Sequence, residues 1–157
     1  MNISKSSPGE ITIDCDSGTC DYLMTLLSGD QDKYKALKFS GEKSFYLQVD
    51  VLTQSQAASF SSKGTSATGK EFYSMHYDAV NIDADSFGDF ITIVATEPGI
   101  TAVTINPNNS NWIPSATSIS LNEGECYVLG NDTFGTDNIG VKVTSTKDIV
   151  INSGSWA

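Results

Sequence analysis

Residues 88–105 read GDFITIVATEPGITAVTI. Ile91, Ile93 and Ala95 fall on one side of an extended chain, and Val103 and Ile105 repeat the pattern beyond Glu97-Pro98-Gly99. A period of two with β-branched residues marks half-buried strands. Pro98 presets φ and Gly99 supplies a positive φ, so the break predicts a tight turn and the stretch a hairpin.

The alternation recurs outward from there. Phe45, Leu47, Val49 and Val51 share one face, as do Ile119 and Leu121, Cys126 and Val128, and Ile139, Val141 and Val143. Turn chemistry stands between them: NPNNSN at 106–111, NEG at 122–124, GND at 130–132 and STKD at 145–148. Consecutive hairpins bury one face each and need a second sheet to cover it. The chain is therefore expected to be all-β, with two antiparallel sheets in a jelly-roll or Greek-key-like β-sandwich of ten or more strands. A single domain over residues 1–157 is expected. The expected core is Phe45, Leu47, Val49, Ile91, Ile93, Val103, Ile105, Ile119, Leu121, Val128, Val141, Val143 and Ile149. Each contributes about 1.5–3 kcal/mol of burial before entropy is charged against it. Only 21–27 and 32–39 hold partial helical spacing, and both are read as strands or single helical turns.

Nine lysines, no arginine and nineteen acids leave a net charge of −10. Such a surface repels nucleic acid and anionic lipid. The missing arginines remove the bidentate clamp for phosphates, which argues against phosphoryl transfer. Apolar runs of only a few residues exclude membrane insertion by a helix. MNISKSSPGE lacks the apolar stretch of a secretory leader, so export would need a leader removed ahead of Met1.

Four groups of residues invite a chemical reading. Cys15 and Cys20 frame CDSGTC, where a Ser-Gly turn could close a disulfide; packed, reduced thiols are the alternative. Cys126 reads as a buried thiol, and the spacing of the three cysteines gives no zinc set. His76, the sole histidine, follows Ser74 on one face of the strand in SSKGTSATGKEFYSMHYD (61–78). A hydrolase would need that pair and an orienting acid, but GxSxG is absent and an ordinary strand histidine is the better account. Asp83, Asp85 and Asp89 with Gly88 outline a calcium loop that fails at its closing acid, since the twelfth position is Val94. Turn aspartates capping backbone amides explain them as well. Trp112, with Asn108, Asn109 and Asn111, has the ring-plus-amide chemistry of a sugar-binding face; a loop anchor is the alternative. Asn2, Asn108 and Asn131 lie in N-x-S/T sequons.

From about Ser61 onward the segments SSKGTSATGKEFY, GDFITIVATEPGITAVTI, ISLNEGECYVLG and IGVKVTSTKDIVINSGSW follow in order. Together they resemble the IgGFc-binding-protein N-terminal type of domain, found in Bacteroidetes surface and gliding-associated adhesion proteins and in animal mucus-associated proteins. Asp148 stands where the family has proline, and Pro98-Gly99-Ile100 replaces its acid-Asn-Thr. The family is named for one animal protein's activity, and antibody binding does not carry over. The resemblance implies an extracellular or cell-surface, non-catalytic adhesion or structural module. Its expected partners are other cell-surface proteins or itself, through sheet edges. A carbohydrate-binding module, assisted by calcium, is the second reading; no other cofactor is implied.

Overall fold

The computed structural model describes residues 31–52, 57–62, 64–75, 88–107, 117–131 and 140–156. Its strands are β1 (Gln31–Lys35), β2 (Gln48–Leu52), β3 (Ala57–Ser61), β4 (Gly69–Tyr73), β5 (Gly88–Ala95), β6 (Thr101–Asn106), β7 (Thr117–Leu121), β8 (Glu125–Asn131) and β9 (Lys142–Trp156). A single 3-10 turn covers Gly64–Ala67. All pairings are antiparallel, so the all-β class holds.

The two-sheet sandwich does not hold. One seven-stranded sheet runs β1-β8-β5-β9-β6-β7, with β4 also on β9, and curls into a nearly closed barrel. The cause is β9. At about 3.3 Å per residue its length approaches 50 Å, enough to serve two layers. Lys142–Ser145 pair with β6 and Ile149–Trp156 with β5, while β4 takes the other edge, pairing with Lys142–Thr144 and, past an irregularity, with Ile149. One strand thus belongs to both halves of the sheet.

The predicted hairpins are corrected as well. β5 and β6 do not pair; both pair with β9, one after the other along the edge opposite β4. The Glu97-Pro98-Gly99 turn therefore arches alongside residues 146–148 of β9, from one half of the sheet to the other. Gly99, at φ 77°, makes the reversal as anticipated. The Asn122–Gly124 turn is a second arch, between β7 beside β6 and β8 beside β5, with Gly124 at φ 77°. Glycine chemistry sets the reversal, but the apolar faces choose the pairing. Across an arch, side chains rather than backbones face each other.

The STKD stretch lies inside β9 rather than in a turn, and Gly130-Asn131 end β8 rather than leaving it. Between its two pairings β9 has a gap at 146–148, and side chains fill it. Thr96 Oγ1 donates to the Asp148 carbonyl at 2.8 Å, and the Asp148 N–H donates to Glu97 Oε1 at 2.8 Å. Lys147 Nζ donates to the Pro98 carbonyl at 2.6 Å, and Thr146 Oγ1 accepts the Ala102 N–H at 3.0 Å. Ser145 Oγ donates to the Lys147 carbonyl at 2.7 Å. Backbone groups that ladder partners leave unmade are thus satisfied by the arch.

The core joins both halves: Ile91, Ile93 and Ala95 of β5, Val103 and Ile105 of β6, Leu121, Tyr127, Leu129, Val141, Val143 and Ile149, with Phe72, Ile119 and Ile151 against it. Phe45, Leu47 and Val49 depart from expectation. Phe45 is 45% exposed, and among the described residues β2 pairs only with β3, in a separate two-stranded ribbon. A ribbon of two strands buries little. β8 also differs. Tyr127 and Leu129 join the core, while Cys126 and the buried Val128 take the other face. Both faces of β8 are apolar, which period-two reading does not resolve.

Thr101 Oγ1 is buried without a hydrogen-bond partner. Thr101→Val keeps the shape and removes that hydroxyl, so its urea midpoint is expected to stay level or rise. Thr96→Val removes the bond to Asp148 and is expected to cost about 0.5–1.5 kcal/mol by the same measurement. Equal losses in the two variants would contradict the role assigned to the Thr96–Asp148 bond.

Candidate binding surface

Ser74 is the predicted site residue that the structure places most firmly. Phe72 and Ser74 point inward and Tyr73 and Met75 outward, as their alternation anticipates. Ser74 is 1% exposed. Its Oγ accepts the Val141 N–H at 3.1 Å, its N–H donates to the Val141 carbonyl, and its carbonyl accepts the Gly140 N–H. A hydroxyl held this way ties the end of β4 to the start of β9 and has no path to a substrate. Next along the chain, Ser153 Oγ accepts the Met75 N–H at 3.1 Å and donates to the Met75 carbonyl at 2.9 Å. One hydroxyl therefore closes the barrel between β4 and the far half of β9.

His76, Cys15, Cys20, Asp83, Asp85, Asn108, Asn109, Asn111 and Trp112 lie outside the described residues. Asp89 stands in β5 opposite Asn131 and Ser155. Cys126 is half-buried, and desolvation pushes its thiol up to about 11, with the Ile93 backbone pulling weakly the other way. Such a thiol is protonated and inert at neutral pH. Among the described residues no three His, Cys, Asp or Glu side chains gather as a cation site, and no helix is long and apolar enough to cross a membrane.

What the described surface offers is contact area. On the outside of β4 and β9, Lys142 Nζ lies 3.0 Å from Glu71 Oε2 and 5.6 Å from the Tyr73 ring centroid. The Glu71 bond, then Tyr73, raise the Lys142 pKa, so the ammonium stays charged. Met75 beside it is 77% exposed.

Larger apolar groups line the connection from β1 to β2, a feature the sequence reading missed. The Ala36 N–H donates to the Gly124 carbonyl at 2.8 Å, and Lys38 Nζ reaches Glu123 Oε1 at 3.1 Å, so the connection starts on the second arch. Beyond it Leu37, Phe39, Phe45 and Tyr46 are all exposed, Tyr46 by 69%. The Tyr46 hydroxyl is bonded to Ser61 Oγ of β3. On the ribbon, Gln48 Nε2 donates to Asp50 Oδ1 and Ser59 Oγ, and the bonds from Gln48 and Ser59 lower the Asp50 pKa. Little in the sequence announces this surface: Leu37, Phe39 and Phe45 keep the even spacing of a strand face, and Phe45 continues the phase of Leu47 and Val49.

A family model described as IgGFc binding protein matches residues 57–157. No curated protein and no solved structure matches the chain.

Ser74→Ala leaves the Val141 N–H buried without its acceptor and is expected to cost about 1–3 kcal/mol in urea unfolding. At pH 8, Cys126 is expected to alkylate with iodoacetamide at least about tenfold more slowly in the folded protein than in urea, read by peptide mass spectrometry. The raised thiol has a second consequence. Its contribution to stability is full below the unfolded thiol's range near pH 8.5 and falls as pH rises towards 11. Cys126→Ala is expected to flatten that alkaline loss.

Proposed function

The chain belongs to the IgGFc binding protein family across residues 57–157, and from that premise we propose that it is a non-catalytic adhesion or structural module of a secreted or cell-surface protein. The observation that carries this reading is Ser74: the one serine beside the sole histidine is buried in backbone hydrogen bonds. The exposed groups at 37–46 and on β4 support contact rather than turnover. Strands β1 and β7 end the seven-stranded sheet, and edge strands are natural partners for another protein's strand or for a second copy.

The test is direct. Beads coated with the domain are mixed with one another and with beads carrying other surface proteins, while the soluble protein is assayed against ester, peptide and glycoside substrates. Clumping without turnover is the expected outcome. Turnover abolished by His76→Ala would overturn the reading.

A glycan-binding face at Trp112, Asn108, Asn109 and Asn111 is the competing proposal, and a tryptophan fluorescence shift on a glycan panel, lost in Trp112→Ala, would favour it. Calcium at Asp83, Asp85 and Asp89 is proposed separately. A melting temperature unchanged by chelator would remove it.

A further inference from the structure

The ribbon of β2 and β3 has one polar face. Gln48 stands opposite Ser61 and Asp50 opposite Ser59, so these four share a side of the ribbon. Tyr46 joins them, since its hydroxyl is bonded to Ser61 Oγ. Tyr46, Gln48, Asp50, Ser59 and Ser61 are all exposed, whereas Leu47 and Val49, which alternate with them, are half-buried.

The groups on this face brace one another. The Tyr46 hydroxyl is tied across the ribbon while the residue stays 69% exposed, so it is the ring that is presented to solvent. Gln48 Nε2 donates to Asp50 Oδ1 at 3.0 Å and to Ser59 Oγ at 3.2 Å, which fixes the amide between the two strands. Side chains fixed before a ligand arrives lose less entropy on binding it. Bonds from Gln48 and then Ser59 hold the Asp50 carboxyl below its ordinary range, so it is ionised at neutral pH.

An exposed ring beside a carboxylate, an amide and two hydroxyls matches the chemistry of a pyranose. The aromatic face meets the sugar's C–H face, and the polar groups meet its rim of hydroxyls, each of which both donates and accepts. At about 3.3 Å per residue, Tyr46 and Asp50 stand roughly 13 Å apart, which is longer than one pyranose ring. The Asp50 charge disfavours acidic sugars, and none of the five residues is a cation that a phosphate or sulfate would need.

We propose that this face of the ribbon binds a short neutral oligosaccharide, with one pyranose stacked on Tyr46 and the next held by Gln48, Asp50 and Ser59. The inference rests on the non-catalytic contact reading above and gives it a ligand class, at residues other than Trp112.

Amide NMR spectra of the full chain test it, in titrations with cellobiose, lactose, maltose and diacetylchitobiose and with a uronic-acid analogue of each. At least one neutral disaccharide is expected to shift amides within 46–50 and 59–62, and its acidic analogue to bind at least about tenfold more weakly. Tyr46→Ala is expected to raise the Kd for that sugar at least about tenfold, and Asp50→Asn to narrow the gap between neutral and acidic forms. Both residues are exposed, so urea midpoints should match the parent and exclude unfolding as the cause. Silence from every neutral sugar would overturn the proposal, as would shifts that gather elsewhere or survive Tyr46→Ala. Hydrolysis of the bound sugar, read from its own anomeric protons in the same samples, would instead overturn the non-catalytic reading.

Discussion

Everything in this barrel depends on what happens to the backbone of β9 between Ser145 and Ile149. On either side of that gap the strand has ladder partners; within it, a bare N–H and carbonyl would each cost about as much as a lost buried hydrogen bond. Thr96 and Glu97 supply the missing partners to Asp148, and Lys147 returns a bond to Pro98. The arch and the strand are therefore mutually required. The arch runs beside β9 where β9 needs side-chain partners, and β9 can pass from β6 to β5 along that edge only because the arch is there.

That dependence changes how the family-like segments should be read. ATEPG, LNEGECY and TSTKDI contain the two arches and the gap they close. Their polar residues hold architecture, as Glu97 does with the Asp148 N–H and Glu125 with the Asn122 N–H at 2.8 Å. Recognition is then left to surfaces the architecture does not consume. Leu37, Phe39, Phe45 and Tyr46 form the largest such group among the described residues.

Strand content and most of the core were legible. Ile91, Ile93, Val103, Ile105, Leu121, Val141, Val143 and Ile149 fall at alternate positions of β-branched, period-two runs, and all are buried. The turn glycines were legible too, because positive φ is a local property. Pairing was not. Whether a turn closes a hairpin or an arch depends on which faces meet across the core, and Pro98-Gly99 looks the same in both. The polar run Ser145–Asp148 reads as a turn because its backbone partners come from residues some fifty positions earlier. The exposed group at 37–46 was hidden for a related reason: Phe45 and Leu47 continue the phase of Val49, and nothing local reveals that, among the described residues, β2 pairs with β3 alone.

Native-state hydrogen exchange across β9 tests the shared-strand account most directly. If one continuous strand holds both halves of the sheet, amides from Lys142 to Ile151 that face β6 or β5 should open with the same free energy, and the Asp148 amide should be protected with them. Two separate opening energies, one for 142–145 with β6 and another for 149–156 with β5, with Asp148 exchanging freely, would contradict it.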